Sequence, residues 1–312
     1  MKHDRALAYA AFAVVCIVWG TTYLAIRIAV TTMTPFLLTG ARYLFAGIVL
    51  FVIAKLHGDE VPRDRRTIGN VVLCGVLMVA IGNLTVVWAE QWVPSGFAAL
   101  FVGTAPFWVT IMELFRRTGE RLEPRSAVGM LIGFAGVAML VTPRGAGSAF
   151  DRRFVIGAIA IQVGCMAWQY GTMRGKYALA SMPPLMSSAL QMLAGGFVVM
   201  IAGVALGEVP HFHSTPRTFT ALAYLSLFGS VLAYTSYVYA ARHLRMTSMS
   251  LYAYVNPVVA VILGWLVLHE QLTWVSIVAM VIILGGVALV QSGRGAGRKV
   301  TISREAPRQK AA

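Results

Sequence analysis

Acidic side chains are scarce in this chain: 12 Asp and Glu stand against 26 Lys and Arg, a formal net charge of +14. Charged residues of both signs reach only 12%, about half of what a soluble domain carries. Cysteine is nearly absent. Cys16, Cys74 and Cys165 each lie within an apolar run, which excludes a secreted disulfide framework and leaves no CxxC metal or redox spacing. No HExxH, Walker loop or mid-span Ser/His/Asp set occurs, so the sequence points away from an enzyme or ATP-driven pump and implies no metal or cofactor. A nucleic-acid partner is excluded as well, because the basic residues punctuate apolar runs instead of forming a solvated basic face.

What the chain has in abundance is apolar surface. Hydrophobic residues make up 58% of the 312, with a mean hydropathy of +0.73. A water-soluble fold of this size cannot bury that much, so the chain reads as an all-α integral membrane protein. Ten runs are long enough to cross about 30 Å of hydrocarbon as helices: 7–30, 36–56, 67–88, 95–115, 126–142, 154–177, 185–206, 218–241, 247–268 and 274–291. They lack the short alternating pattern of barrel strands. The first follows Lys2 and Arg5 but is too long for a signal-peptide core and lacks a small-residue cleavage site, so it reads as an uncleaved first helix.

Charge orients the spans. With the N-terminus inside, cytoplasmic segments hold 20 of the basic residues and the opposite side holds 4, namely Arg144, Arg152, Arg153 and Arg217. The positive-inside rule therefore predicts both termini in the cytoplasm of a multi-pass cell-membrane protein. The polar tail, 292–312, reads as disordered and basic, lying near anionic headgroups of the bilayer.

The sequence also repeats itself. Cys16 and Trp19 within 11–19 align with Cys165 and Trp168 within 160–168, at a shift of 149, and Pro35, Leu44 and Gly47 meet Pro184, Leu193 and Gly196 at the same shift. Ala105-Pro106 meets Asn256-Pro257 at 151, and Gly136 meets Gly286 at 150. Two repeats of five spans, 7–142 and 154–291, follow. Five is odd, so the second repeat must be inverted in the bilayer. The Glu120 connection, rich in arginine, then belongs inside, and the Glu270 connection, without Lys or Arg, belongs outside. Inverted repeats are an architecture of secondary transporters, in which two pseudo-equivalent halves open a midplane site to either side.

Four pieces in order carry a resemblance: VWGTTYLAIR at 18–27, the Pro35 to Arg42 segment, the Ala105-Pro106 and Asn256-Pro257 pair, and LHEQLT at 268–273. With their duplication, the chain resembles the drug/metabolite transporter superfamily, specifically its ten-helix members with two EamA repeats. The resemblance implies a basket of helices around a central cavity and export of small metabolites or amphiphilic compounds. The superfamily spans amino acids, drugs, sugar phosphates and nucleotide sugars, and the alternative readings are a passive channel or assembly subunit, or a sugar-phosphate or nucleotide-sugar exchanger of the same superfamily.

Ionisable groups inside a membrane are costly and default to function. Arg42 lies seven residues after Pro35, about 10 Å along a helix. It either draws a substrate carboxylate into a vestibule or braces helix-end carbonyls or Glu90. The repeat places Gln191 at the matching position. Arg27, nearer the boundary, can snorkel to water. No Asp or Glu falls mid-span, and Glu90 and Glu113 sit at span ends, which disfavours a midplane proton relay and favours movement down the substrate gradient.

Trp19 and Trp168, repeat-related and mid-span, are candidate substrate-binding residues, with Asn83 and Tyr234, Tyr237, Tyr254 and Asn256. Lipid contact or helix packing is the competing reading for each aromatic. Pro106 and Pro257 are candidate hinges or static kinks. The glycines Gly129, Gly133, Gly136, Gly285 and Gly286 read as close helix packing.

Overall fold

The computed structural model describes residues 2–93, 95–115, 124–141, 152–268 and 274–292. The Glu120 and Glu270 connections and the tail from residue 293 lie outside the described residues, as does the expectation that the tail lies near anionic headgroups. The described residues form ten helical rods and no strand. They are α1 (Lys2–Ala29), α2 (Pro35–Leu56), α3 (Arg65–Ala89), α4 (Ser95–Val102, then Ala105–Leu114) and α5 (Pro124–Val141). The second set is α6 (Arg152–Ala178), α7 (Pro184–Ala205), α8 (Pro216–His243), α9 (Met246–Met249, then Tyr252–Leu268) and α10 (Trp274–Ser292).

Six of these, α1, α2, α3, α6, α7 and α8, are long and apolar enough to cross a membrane, and shorter apolar helices complete the set. Their outer surface is apolar: Ile17, Phe45, Phe197, Ile201 and Val281 are all more than half exposed or at half. In water such a belt would be an aggregation surface; in lipid it is solvated.

Contacts between helix ends fix the direction of each rod. Thr32, just past α1, donates to the His213 carbonyl just before α8, and Phe36 and Leu37 at the start of α2 donate to Glu208 just past α7. These ends share one face, here called distal. At the other, proximal face, Arg174 near the end of α6 donates to Asn70 near the start of α3, and Lys176 donates to the Leu244 carbonyl just past α8. Thus α1 ends where α8 begins, and α3 begins where α8 ends. Repeat partners α3 and α8 run in opposite directions.

Close packing is bought at a few small residues. A Cβ on Gly133 would lie 2.7 Å from the Tyr254 ring, and one on Gly286 would lie 2.5 Å from the Gly133 nitrogen, so α5 and α10 touch backbone to backbone. Without a hydrophobic drive in lipid, that close approach is what holds a helix pair.

Both third helices of the repeats change winding midway. α3 passes through a π-helical stretch at Val76–Asn83, and α8 does so at Leu225–Leu232. The wider winding turns carbonyls and side chains out of the ordinary ladder, as it often does at functional sites. The fourth helix is broken instead. α4 stops at Gly103-Thr104, and Pro106 is the second residue of its second segment. There a proline ring starts a helix at no cost, because its missing N–H has no partner in the first turn anyway. Pro106 therefore begins a segment instead of kinking a continuous helix, whereas Pro257 does lie inside a continuous α9 segment.

Candidate functional site

The two repeats meet through their tryptophans. Trp19 and Trp168 stack edge to face with centroids 5.4 Å apart. In inverted repeats a pseudo-twofold axis at mid-depth brings together repeat-related residues near mid-span, the positions these two tryptophans hold. Each indole rests on the π-helical stretch of the other half. Trp19 Nε1 donates to the Gly229 carbonyl at 2.9 Å, and the Trp168 ring lies 3.0 Å from where a Cβ on Gly82 would stand. Gly82 thus gives the Trp168 ring room, and a Cβ on Gly229 would stand 2.9 Å from Arg42 Nη2.

Two tyrosines complete an aromatic layer. Tyr237 lies 5.0 Å from Trp19 and 5.5 Å from Trp168, and Tyr252 lies 5.0 Å from Trp19. Such pairs contribute about 0.5–1.5 kcal/mol each beyond their buried area. The layer separates two cavities. The distal one, about 70 Å³, is lined by Trp19, Thr22, Arg42, Asn83, Trp168 and Asn256 among others. The proximal one, about 20 Å³, is lined by Met78, Thr172, Lys176, Gln191, Tyr237 and Arg242 among others. Thr172 and Tyr237 share a hydroxyl hydrogen bond of 2.9 Å on the proximal side of the layer.

Arg42, 2% exposed, is the charged group of the distal cavity. Its Nε donates to the Ser230 hydroxyl on the π-helical stretch of α8 at 2.8 Å, and its Cζ stands 4.9 Å from the Tyr43 ring centroid. Nη1 has no hydrogen-bond partner, and neither does Asn83 Oδ1 in the same wall. A buried guanidinium N–H and a buried amide oxygen are costly to leave unpaired. The cavity therefore offers a donor for an anion and an acceptor for a cationic or N–H group, beside aromatic faces. The brace that the sequence allowed between Arg42 and Glu90 is absent. Ser230 takes that place, while Arg27 Nη1 donates to the Glu90 backbone carbonyl.

Of the expected binding residues, Trp19, Arg42, Asn83, Trp168 and Asn256 come together around the distal cavity. Asn256, with its amide turned to donate, reaches the Cys16 carbonyl at 3.1 Å and the Tyr252 carbonyl at 3.0 Å, so it also ties α9 to α1. Tyr237 lines the proximal cavity. Tyr234 is fully buried behind the layer, and its hydroxyl donates to Gln191 Oε1 at 3.1 Å. Tyr254 is not brought to either cavity. It packs against Gly133, and its hydroxyl donates to the Met130 carbonyl at 3.0 Å.

Thr22, Tyr23, Gln169 and Tyr252 line the distal cavity without having been singled out from the sequence. Helical spacing was the available signal. Tyr23 follows Trp19 by four residues, and Asn256 follows Tyr252 by four, which puts each pair on one helix face. Glu90 and Glu113 do sit at helix ends, but both are buried. Glu90 has no hydrogen-bond partner for either carboxylate oxygen, and burial pushes its carboxyl well above the ordinary range while the Arg27 charge partly opposes this.

The profile of the EamA-like transporter family matches residues 6–142 and 155–292, one match per repeat. The chain is 38% identical over 280 residues to a protein of Escherichia coli (strain K12) named as the inner membrane transporter YedA, covering 89% of this chain and 88% of that one. It is 20% identical over 274 residues to the transporter YoaV of Bacillus subtilis (strain 168), covering 88% and 92%. A crystal structure of a 21% identical protein superposes with a TM-score of 0.76 over 94% of this chain and 97% of that one, which shows a shared fold. A duplicated helical unit around a mid-depth aromatic layer, with relatives named as transporters, identifies this multi-pass membrane chain as a member of the EamA-like transporter family.

Proposed function

We propose that this transporter exports small carboxylate-bearing metabolites or amphiphilic compounds, amino acids and related drugs included, by alternating access, with both termini in the cytoplasm. The observation that carries the reading is the pair of cavities on opposite sides of one aromatic layer. Inverted repeats give each cavity a counterpart, so widening one and closing the other exchanges access without a new architecture. At about 70 Å³ the distal cavity is far below the roughly 300–1,000 Å³ of an open ligand site, so substrate entry requires helices to part. The π-helical stretches of α3 and α8 and the break in α4 are places where that movement costs little regular hydrogen bonding.

Arg42 supports the substrate class. A single guanidinium with a free Nη1 suits one carboxylate, and Asn83 Oδ1 suits an ammonium or hydroxyl on the same molecule. The energy source in this reading is the substrate gradient, since Glu90 and Glu113 lie at helix ends and not at the layer. Flux in proteoliposomes tests it. Saturable flux that persists when an ionophore collapses the pH gradient is expected. Linear flux would make the chain a channel, and a strict need for a pH gradient would assign coupling to Glu90 or Glu113.

A further inference from the structure

A third, larger cavity lies apart from the distal and proximal ones. It is a crevice of about 620 Å³ between the start of α3 and the end of α6 on the proximal face, lined by Arg66, Thr67, Asn70, Tyr170, Arg174 and Tyr177 among others. We propose that this crevice binds the phosphate of an anionic phospholipid headgroup.

The pattern on α6 separates it from the substrate cavities. Cys165, Trp168 and Thr172 form one stripe of the helix and face the cavities. Tyr170, Arg174 and Tyr177, at spacings of four and three, form another stripe about 200° away and face the crevice. Arg174 is held in place, while the Arg66 side chain is exposed beside it. Arg174 Nε donates to Asn70 Oδ1 at 2.9 Å, and Asn70 Nδ2 donates to the Arg66 carbonyl at 2.9 Å. Asn70 is itself buried, so it fixes the guanidinium relative to the first turn of α3. The bond uses only Nε, Arg174 and Arg66 both line the crevice, and none of the lining residues is acidic. A phosphate monoanion between two guanidinium groups is the ligand that such a pair recognises.

Depth selects a lipid over a soluble phosphate. Arg66 is the second residue of α3 and Tyr177 the last but one of α6, which sets the charged end at the membrane boundary. Tyr170, 43% exposed, lies about 10 Å deeper, at the level of a glycerol backbone and the first methylenes. Tyrosine with one apolar and one polar end suits that boundary, and basic recesses between transmembrane helices hold anionic headgroups.

Native mass spectrometry of the full chain titrated with phosphatidylglycerol and phosphatidylcholine tests the assignment. The wild-type protein is expected to retain phosphatidylglycerol about ten-fold more tightly than phosphatidylcholine, whose choline places a cation beside the two arginines and cancels the net charge of its phosphate. The Arg66→Gln/Arg174→Gln variant should lose that preference. The Arg63→Gln/Arg65→Gln variant, which removes the same charge from exposed positions on the same face outside the crevice, should keep it. If the first variant does not fold, Arg66→Gln alone, at an exposed side chain, carries the same comparison with a smaller loss. Equal retention by the Arg66/Arg174 and Arg63/Arg65 variants, or equal binding of the two lipids by the wild type, would overturn the proposal. So would displacement of the lipid by millimolar glycerol 3-phosphate, which would assign the crevice to a soluble phosphate.

Discussion

The distal and proximal cavities are built from equivalent positions of two repeats, yet they differ in charge at the point that matters. Arg42 of α2 lines the distal cavity, and its repeat partner Gln191 of α7 lines the proximal one. Arg42 is braced by Ser230 and retains a free Nη1; Gln191 donates to Ser187 and accepts from Tyr234, so both ends of its amide are engaged. A perfectly symmetric pair would hold an anion equally at both sides and trap it. At this pair of positions an arginine stands on one side and a satisfied amide on the other; the cations of the proximal cavity, Lys176 and Arg242, stand at other positions.

That comparison breaks cleanly if the faces are assigned the wrong way round. Reagents confined to the outside should label a cysteine placed at His211, on the distal face, and spare one placed at Asp59, on the proximal face. The three native cysteines are buried and should contribute little background. The reverse labelling would put the Arg42 station on the cytoplasmic side and exchange the roles of the cavities.

Next in size is the charge itself. Arg42→Gln makes the two repeat-related positions alike and removes the cation that lines the distal cavity. It should raise the KM for a carboxylate substrate by about 10–100-fold, the 1.5–3 kcal/mol of a hydrogen bond to a charged group, while a neutral amide analogue changes little. Equal loss for both compounds, with less folded protein, would make Arg42 a brace for the α2–α8 contact only.

The aromatic layer gives a smaller effect. Trp19→Ala and Trp168→Ala should each weaken apparent substrate affinity by about 1–3 kcal/mol if the rings touch the ligand. Trp19→Phe additionally removes the hydrogen bond to the Gly229 carbonyl, about 0.5–1.5 kcal/mol, and should lower the Tm of the detergent-solubilised protein. Unchanged affinity in both alanine variants would reduce the layer to packing.

The smallest difference lies at the starts of α3 and α8. Asp64 caps α3 by accepting from the Thr67 N–H at 2.7 Å, and this bond holds its carboxyl below the ordinary range. Its contribution is present above the unfolded pKa and is lost as pH falls through the lower, folded value. α8 is capped by hydroxyls instead, Thr215 and Thr218 bonding reciprocally. Protection factors at the first turn of α3, corrected for the intrinsic pH dependence of amide exchange, should therefore fall below about pH 4, while those at the first turn of α8 should hold. Thr215→Ala should loosen that turn by about 1 kcal/mol at any pH.

Trp19 and Trp168 were found from repetition and mid-span position, because a midplane axis constrains where equivalent residues go. Arg42 was found because a lone charge in an apolar run has few explanations, but its partner Ser230 was not, since the π-helical stretch that presents it has no local sequence signal. Tyr254 reads from the sequence as a binding residue, yet it lies about 200° from Asn256 on the same helix, and Tyr252, four residues before Asn256, lines the cavity with it. Pro106 was expected within a helix and instead starts a segment, because the break at Gly103-Thr104 depends on neighbours packed around it.

The sequence by itself determined the helices and their duplication, since lipid leaves a backbone no other way to satisfy its hydrogen bonds and a repeat is visible as a shift. It also determined which repeat carries the buried arginine. Only the tertiary structure decided which polar atoms are left unpaired, where the aromatic layer divides the interior and which stripe of α6 faces substrate or boundary. Those features depend on contacts between residues as far apart in the chain as Arg42 and Ser230 or Asn70 and Arg174. No local propensity encodes such contacts; the packing of ten helices against one another does.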